Sequence, residues 1–158
     1  MAAIEKEIGD LLRQKGLTLG TVESATGGLI SHLITSVPGS SGYFKGAVVS
    51  YANETKMKVI GVKEATLKKY GSVSSRVAEE MARGGRGVLD VDICVADTGI
   101  AGPGGATPGK AVGLFYIGLS HTSGTFNRKH EFHGTRDENK QNAALAALTW
   151  VEEYLETI

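Results

Sequence analysis

Apolar positions in the first part of the chain switch between a helical and a strand-like pattern. Between residues 4 and 12 they repeat at helical spacing, and Gly16 ends this helix. Residues 17–22 form a short apolar run typical of a strand, and helical spacing returns between residues 26 and 37. Ser24 therefore lies where a predicted strand passes into a predicted helix.

The rest of the chain continues this alternation. The expected elements are a strand over 46–52, helices over 64–70 and 75–89, a strand over 91–98, a hairpin of 111–121 and 125–132, and a terminal helix over 137–156. This order predicts an α/β fold, a single domain over 1–158 built as a three-layer α/β/α sandwich with a mixed, mainly parallel central sheet. Ligands of such sheets bind beyond the carboxyl ends of strands, and Ser24, Lys56 and Gly99 each follow one.

Composition limits the classes of binding partner and the cellular compartment that we expect for the chain. The 158 residues fit one domain, and 17 Lys and Arg balance 17 Asp and Glu, so the chain lacks the positive field of a nucleic-acid-binding protein. Its one cysteine excludes an internal disulfide. The N-terminus lacks a signal-peptide pattern, and no apolar run approaches the roughly 18 residues of a membrane helix. We expect a cytoplasmic protein with no nucleic-acid or membrane partner.

Ser24 is the first candidate for chemistry. A serine on a strand-to-helix turn can expose its hydroxyl, and the free N–H groups of the helix can bind a phosphate or a developing oxyanion. Thr26, Gly27 and Gly28 would let a substrate approach that backbone closely. The alternative is that Ser24 or Thr26 only caps the helix. The pattern G-x-S-x-G is absent, so the segment is not a recognisable hydrolase elbow.

A serine nucleophile needs a base, and Lys56 is the candidate. A neutral lysine serves as a base when burial or a neighbouring charge lowers its pKa. Tyr51, five residues before Lys56, could relay a proton or orient the amine. The histidines suggest no metal site, because His130 and His133 on a strand would point to opposite faces.

Two further features remain open on their residues alone. The loop over 99–109 is rich in glycine but matches neither the Walker nor the Rossmann pattern, which leaves a general anion-binding loop. Arg136, before the terminal helix, could bind a carboxylate or phosphate with its planar fork or could be a solvated surface residue. Cys94, inside an apolar run, is expected to be a core residue.

Six short strings in a fixed order together resemble the CinA C-terminal domain family. They are residues 23–28 (ESATGG), 38–41 (PGSS), 50–56 (SYANETK), 71–74 (GSVS), 99–103 (GIAGP) and 134–136 (GTR). The family includes nicotinamide mononucleotide deamidases, which convert the nucleotide's carboxamide to a carboxylate and release ammonia. The resemblance implies that reaction here, with Ser24, Tyr51 and Lys56 as the catalytic set. It also implies nucleotide contacts from Thr26, Gly27, Gly28, Thr98, Gly99 and Arg136, without a metal or cofactor.

The sequence departs from the family pattern at two places. Ala25 replaces a cysteine that is common after the motif serine, so a thiol is not required here, and residues 104–109 differ in detail from the usual loop. Many relatives carry a further N-terminal domain, and we expect this chain to correspond to the stand-alone form.

The expected partners are a pyridine nucleotide and further copies of the chain, as a dimer or a larger homo-oligomer. The alternatives are a catalytically inactive nucleotide-binding or regulatory domain and a protein that aids DNA uptake or repair. The second needs a nucleic-acid surface, which the neutral charge makes improbable.

Overall fold

The computed structural model describes residues 3–158, and its helices and strands alternate as the sequence predicts. The helices are α1 (Ile4–Lys15), α2 (Leu29–Thr35), the short α3 (Asn53–Thr55), α4 (Glu64–Tyr70), α5 (Ser75–Leu89) and α6 (Arg136–Thr157). The strands are β1 (Leu19–Glu23), β2 (Phe44–Val49), β3 (Ile93–Gly99), β4 (Leu114–His121) and β5 (Gly124–Glu131). A 3₁₀ turn over Ser40–Gly42 and a π-helical turn over Lys56–Ile60 complete the set.

The five strands form one mixed sheet in the order β2-β1-β3-β4-β5. Strand β1 pairs in parallel with both β2 and β3, whereas β4 pairs antiparallel with β3 and β5. Four strands therefore run in one direction and β4 runs against them. The carboxyl ends of β1, β2 and β3 meet at one edge, as the predicted α/β fold requires.

Helices cover both faces of the sheet, which confirms the predicted three layers. Helices α1, α2 and α6 bury a core on one face around Leu12, Ile34, Val95 and Leu148. On the other face α5 packs against β1 and β3, with Met81 as its largest fully buried side chain. No helix within residues 3–158 is both long and apolar enough to cross a membrane.

The predicted boundaries are wrong at three places. Helix α2 begins at Leu29 and not near Thr26, because Gly27 and Gly28 adopt positive φ angles of 62° and 107° and form a turn. Strand β2 ends at Val49, so Tyr51 lies beyond the sheet. Strand β4 begins at Leu114, because residues 100–113 still belong to the glycine-rich loop.

Close packing of α5 supports the turn that carries Lys56. Gly84 faces the end of that turn, and a Cβ atom at this position would overlap the carbonyl oxygen of Ile60. Backbone atoms cannot move aside as a flexible side chain does. The missing side chain of Gly84 therefore lets α5 approach the π-helical turn.

Two glycine-to-alanine substitutions on α5 separate this close approach from helix propensity. We expect Gly84→Ala to lower the free energy of unfolding by about 1–3 kcal/mol through overpacking. Gly87→Ala, which meets nothing within 4 Å, should raise it by about 0.5–1 kcal/mol, since alanine is the better helix former. Urea unfolding of both variants measures the two effects. A Gly84→Ala protein as stable as Gly87→Ala would contradict the close approach.

Candidate active site

A cavity of about 270 Å³ lies at the carboxyl ends of the three parallel strands. Ser24 follows β1, Tyr51 and Lys56 follow β2, and Thr98 and Gly99 end β3. These five residues line the cavity together with Ala25, Ser72, Val73, Arg136 and the loop residues Ile100, Ala101, Gly102, Gly104 and Gly105. The structure therefore brings together most of the residues that the sequence selected from separate segments.

The Lys56 amine contacts the Ser24 hydroxyl inside this cavity. Lys56 Nζ lies 2.9 Å from Ser24 Oγ, and only 1% of the lysine is exposed. The same amine donates to the carbonyl oxygens of Ser50 at 2.7 Å and Tyr51 at 3.0 Å. A charged amine donates to all three oxygens. In the neutral form two hydrogens remain, so with these on the two carbonyls the lone pair can accept from the serine hydroxyl.

Burial favours that neutral form. Removal of the amine from water lowers the pKa of Lys56 below its ordinary value of 10.5, while the nearby Asp97 carboxyl acts in the opposite direction. The sheet fixes the two carbonyls that hold the amine, because Ser50 N–H donates to the carbonyl oxygen of Glu23 at 2.8 Å. The ends of β1 and β2 are thus tied together beside Ser24.

Tyr51 contributes to the site through its main-chain carbonyl and its phenol. Its carbonyl oxygen orients the Lys56 amine, but 61% of the residue is exposed. Its phenol oxygen accepts a hydrogen bond from the Arg136 guanidinium at 3.2 Å. The other terminal nitrogen of Arg136 donates to the carbonyl oxygen of Gly102 at 2.8 Å. Arg136 and the Tyr51 phenol therefore lie together at the mouth of the cavity, and a proton relay by the phenol stays a prediction.

Asp97 is a buried residue of the site that the sequence analysis missed. Its carboxylate oxygens accept the N–H groups of Ser24 at 3.0 Å and Thr26 at 3.1 Å, which fixes the turn that presents Ser24. Burial is the main cause that raises the pKa of Asp97 to about 6. The available signal was an acidic residue at the carboxyl end of an otherwise apolar strand over 91–98.

Glu23 occupies the N–H groups that begin α2. Its carboxylate accepts from the N–H groups of Gly28 at 3.1 Å, Ile30 at 2.9 Å and Ser31 at 2.9 Å. Gly27 N–H in turn donates to the carbonyl oxygen of Ser24 at 3.0 Å. The N–H groups of Thr26, Gly27 and Gly28 are therefore not free, since all three have acceptors within the protein. A nucleotide contact from these residues stays a prediction.

One main-chain N–H beside Ser24 has no acceptor among the described residues. Ala25 lines the cavity next to Ser24, and no acceptor among residues 3–158 takes its N–H. A backbone N–H that follows a serine nucleophile is a common donor to an oxyanion. Among residues 24–28 of the described chain, the Ala25 N–H is thus the one without an acceptor.

The surroundings of the remaining candidate residues show what each side chain contacts. Thr98 lines the cavity, but its hydroxyl donates to the carbonyl oxygen of Ser72 at 2.7 Å. Gly99 packs against the Phe115 ring with no space for a Cβ atom. Cys94 is fully buried, and burial raises its pKa to about 12, which confirms the core interpretation. Within residues 3–158 no group of three His, Cys, Asp or Glu side chains is arranged to hold a metal ion.

Comparison with known proteins identifies relatives of the chain. A CinA-like protein from Salinibacter ruber is 47% identical over 145 residues, which cover 92% of this chain and 35% of that protein. A putative competence-damage inducible protein from Halothermothrix orenii is 45% identical over 154 residues, 97% of this chain and 37% of that protein. The chain thus spans little more than a third of the length of these curated relatives.

Solved structures and a family model complete the comparison. The structure of the competence/damage inducible protein CihA from Agrobacterium tumefaciens has a TM-score of 0.90 and 32% identity, covering 99% of both chains. A CinA superfamily protein from Klebsiella pneumoniae has a TM-score of 0.94 over 98% of this chain and 97% of its own, and at 24% identity it shows the fold alone. The family model of the CinA C-terminal domain matches residues 1–155, so the chain belongs to that family.

Proposed function

We propose that this chain hydrolyses the carboxamide of nicotinamide mononucleotide to nicotinate mononucleotide and ammonia. The observation that carries the proposal is the 2.9 Å contact between the buried Lys56 amine and the Ser24 hydroxyl. Such a pair activates a serine for acyl transfer without a histidine. The choice of substrate comes from the family resemblance, because the names of the relatives do not state a substrate.

In the first half of the proposed reaction the enzyme becomes acylated. Lys56 takes the hydroxyl proton while Ser24 Oγ forms a bond to the carboxamide carbon. The carbonyl oxygen becomes an oxyanion, to which Ala25 N–H donates. Lys56 then passes its proton to the amide nitrogen, the C–N bond breaks, and ammonia leaves.

In the second half water restores the enzyme. A water molecule gives a proton to Lys56 and bonds to the acyl carbon, and the oxyanion forms again at the same place. The bond to Ser24 breaks, the Lys56 proton returns to Ser24 Oγ, and nicotinate mononucleotide is released. The two carbonyls of Ser50 and Tyr51 hold the amine through both halves.

Arg136 suits the phosphate end of the nucleotide. Its guanidinium lies at the mouth of the cavity, where its two terminal nitrogens donate to Gly102 O and Tyr51 Oη. A phosphate can replace both acceptors with charged oxygens and form shorter, stronger hydrogen bonds. The proposed orientation therefore has the carboxamide at Ser24 and the phosphate at Arg136.

Removal of the nucleophile tests the reaction. We expect Ser24→Ala to lower the rate of ammonia release from nicotinamide mononucleotide by at least about 10³-fold, because the proposed acyl bond forms at Ser24 Oγ. Ser123→Ala, in the exposed hairpin turn, is the matched control and should keep the rate. A Ser24→Ala protein with ordinary turnover would refute the mechanism. Nucleotide binding without turnover by the native chain would favour the inactive-domain alternative.

Replacement of Arg136 tests the orientation of the nucleotide. We expect Arg136→Gln to raise KM for nicotinamide mononucleotide by about 10-fold or more, since charge-assisted hydrogen bonds to phosphate are lost. The KM for nicotinamide riboside, which has no phosphate, should change little. Steady-state ammonia release with both substrates measures the difference. An equal loss for both would show that Arg136 does not bind the phosphate.

The pH dependence of stability tests the neutral state of Lys56. Its folded-state pKa is below 10.5, so the unfolded chain binds the proton more readily. The stability contributed by Lys56 is complete above about 10.5 and is lost as pH falls through the folded pKa. We therefore expect the native chain to gain stability relative to Lys56→Met as pH rises towards that value.

Urea unfolding at a series of pH values measures this difference. Lys58→Met removes an exposed lysine of the same turn and is the control for the loss of a surface charge. A flat or falling difference for Lys56→Met would mean that the buried amine stays charged.

A further inference from the structure

The Thr26 hydroxyl lies between two buried carboxyl groups. Thr26 Oγ1 is 2.5 Å from Asp97 Oδ1 and 2.6 Å from Glu23 Oε1. Neither acidic residue is exposed, and Thr26 is 1% exposed. A hydroxyl has one hydrogen and can donate to one of these oxygens. If both carboxyls were ionised, one of the two short oxygen–oxygen contacts would have no hydrogen between its atoms. One of the two carboxyl groups must therefore be protonated.

Hydrogen bonding identifies Glu23 as the ionised member. Its Oε1 accepts from the N–H groups of Gly28 and Ile30, and its Oε2 accepts from the N–H and hydroxyl of Ser31. Donors thus surround both oxygens, and a proton on either would face one of them. Such an environment stabilises a carboxylate.

Asp97 has the weaker set of donors and the greater cost of ionisation. It accepts one N–H at each oxygen, from Ser24 and Thr26. Burial and repulsion from Glu23 raise its pKa to about 6, whereas the hydrogen bonds act in the opposite direction. A protonated Asp97 can donate to Thr26 Oγ1, and the threonine can then donate to Glu23. Each of the two contacts, from Asp97 to Thr26 and from Thr26 to Glu23, is then a hydrogen bond with its own proton.

We propose that Asp97 is a positioning residue whose proton controls the charge of Lys56: while Asp97 carries the proton the amine is free to be neutral, and ionisation of Asp97 favours the charged amine. A proton shared between Asp97 and Lys56 can lie on either group, and the total charge is the same in both states. The state with a charged lysine requires an ionised Asp97 and breaks the ordered chain through Thr26. The state with a protonated Asp97 leaves the amine ready to take the Ser24 proton. The consequence for the reaction rests on the proposed function, but the location of the proton does not.

The charged groups around Asp97 are few. Glu23 faces it from β1, and Lys56 faces it from the turn after β2. Helix α6 presents Lys140, whose amine lies beside Gly27 on the neighbouring turn. On the other side β4 places the apolar Ile117 opposite Asp97. The direct electrostatic exchange is therefore with Glu23 and Lys56.

The first experiment locates the proton in the unmodified chain. Side-chain carboxyl NMR of the five aspartates as a function of pH distinguishes protonated from ionised groups, and Asp97→Asn assigns the signal. We expect Asp97 to titrate near pH 6. Titration of Asp97 near its ordinary value of 3.8 would overturn the proposal. This result does not depend on any enzymatic activity.

The second experiment follows stability. The folded-state pKa of Asp97 is raised from 3.8 to about 6, so the stability that it contributes is complete below about 3.8 and is lost as pH rises through 6. Across that interval the native chain should lose stability relative to Asp97→Asn. Glu23→Gln should destabilise the protein more than Asp97→Asn does, because it places an amide nitrogen against N–H donors. The reverse order would locate the proton on Glu23.

The third experiment reads the coupling to Lys56 from the pH profile of ammonia release. An asparagine cannot become an anion, so Lys56 in Asp97→Asn should lose its proton more easily. We expect the acid limb of kcat/KM to move to lower pH by about one unit. The maximum value of kcat/KM should fall as well. Asp97 Oδ1 contacts both Ser24 N–H and Thr26 Oγ1, and no single atom of the asparagine amide can both accept from Ser24 and donate to Thr26.

A matched control separates this coupling from a structural defect. Asp92→Asn makes the same change at the other end of β3, where Asp92 accepts only the N–H and hydroxyl of Thr18. Its acid limb should coincide with that of the native chain. If the acid limb of kcat/KM in Asp97→Asn stays at the pH of the native chain, whatever the maximum of kcat/KM, the coupling is overturned. Absence of ammonia release from the native chain would refute the proposed function, and the carboxyl titration would still locate the proton.

Discussion

A buried amine requires an acceptor for every N–H group, and this requirement organises the site around Lys56. An unpaired polar group in the interior costs several kcal/mol, and an unpaired charge costs more. The protein meets the requirement with two main-chain carbonyls just beyond β2, from Ser50 and Tyr51. Those carbonyls are fixed because Ser50 N–H is bonded to the end of β1. The contact with Ser24 thus follows from strand register, since the residues after two paired parallel strands face each other.

Two acidic side chains hold the loops on which Ser24 and its neighbours lie. Glu23 satisfies the first N–H groups of α2, and Asp97 holds the turn from the adjacent strand. In many α/β proteins such N–H groups bind a phosphate of the ligand. Here the protein supplies its own anion at that place. The positive charge for the phosphate of the proposed substrate would therefore have to come from elsewhere, and Arg136 lines the cavity.

The sequence predicted the positions of Ser24 and Lys56 because local patterns determine them. Each follows a strand, and the carboxyl ends of parallel strands meet at one edge of a sheet. Asp97 was missed because its role depends on a contact across 73 residues of sequence, and no local pattern specifies that contact. The early start predicted for α2 has a related cause, since apolar spacing cannot show that Gly27 and Gly28 adopt positive φ angles. The phenol of Tyr51 was assigned to Lys56 on spacing, whereas its exposure directs it to Arg136.

The alanine after Ser24 limits what the turn itself can contribute. Residue 25 has a methyl side chain, which offers neither a polar group nor a thiol, and its N–H has no acceptor among residues 3–158. The other N–H groups of the turn are committed to Glu23, Asp97 and the Ser24 carbonyl. In the proposed reaction an oxyanion at Ser24 would meet a donor fixed by a turn that carboxylates hold on both sides. Since a fixed donor needs no reorganisation when charge develops, the rigidity given by Glu23 and Asp97 would favour that reaction.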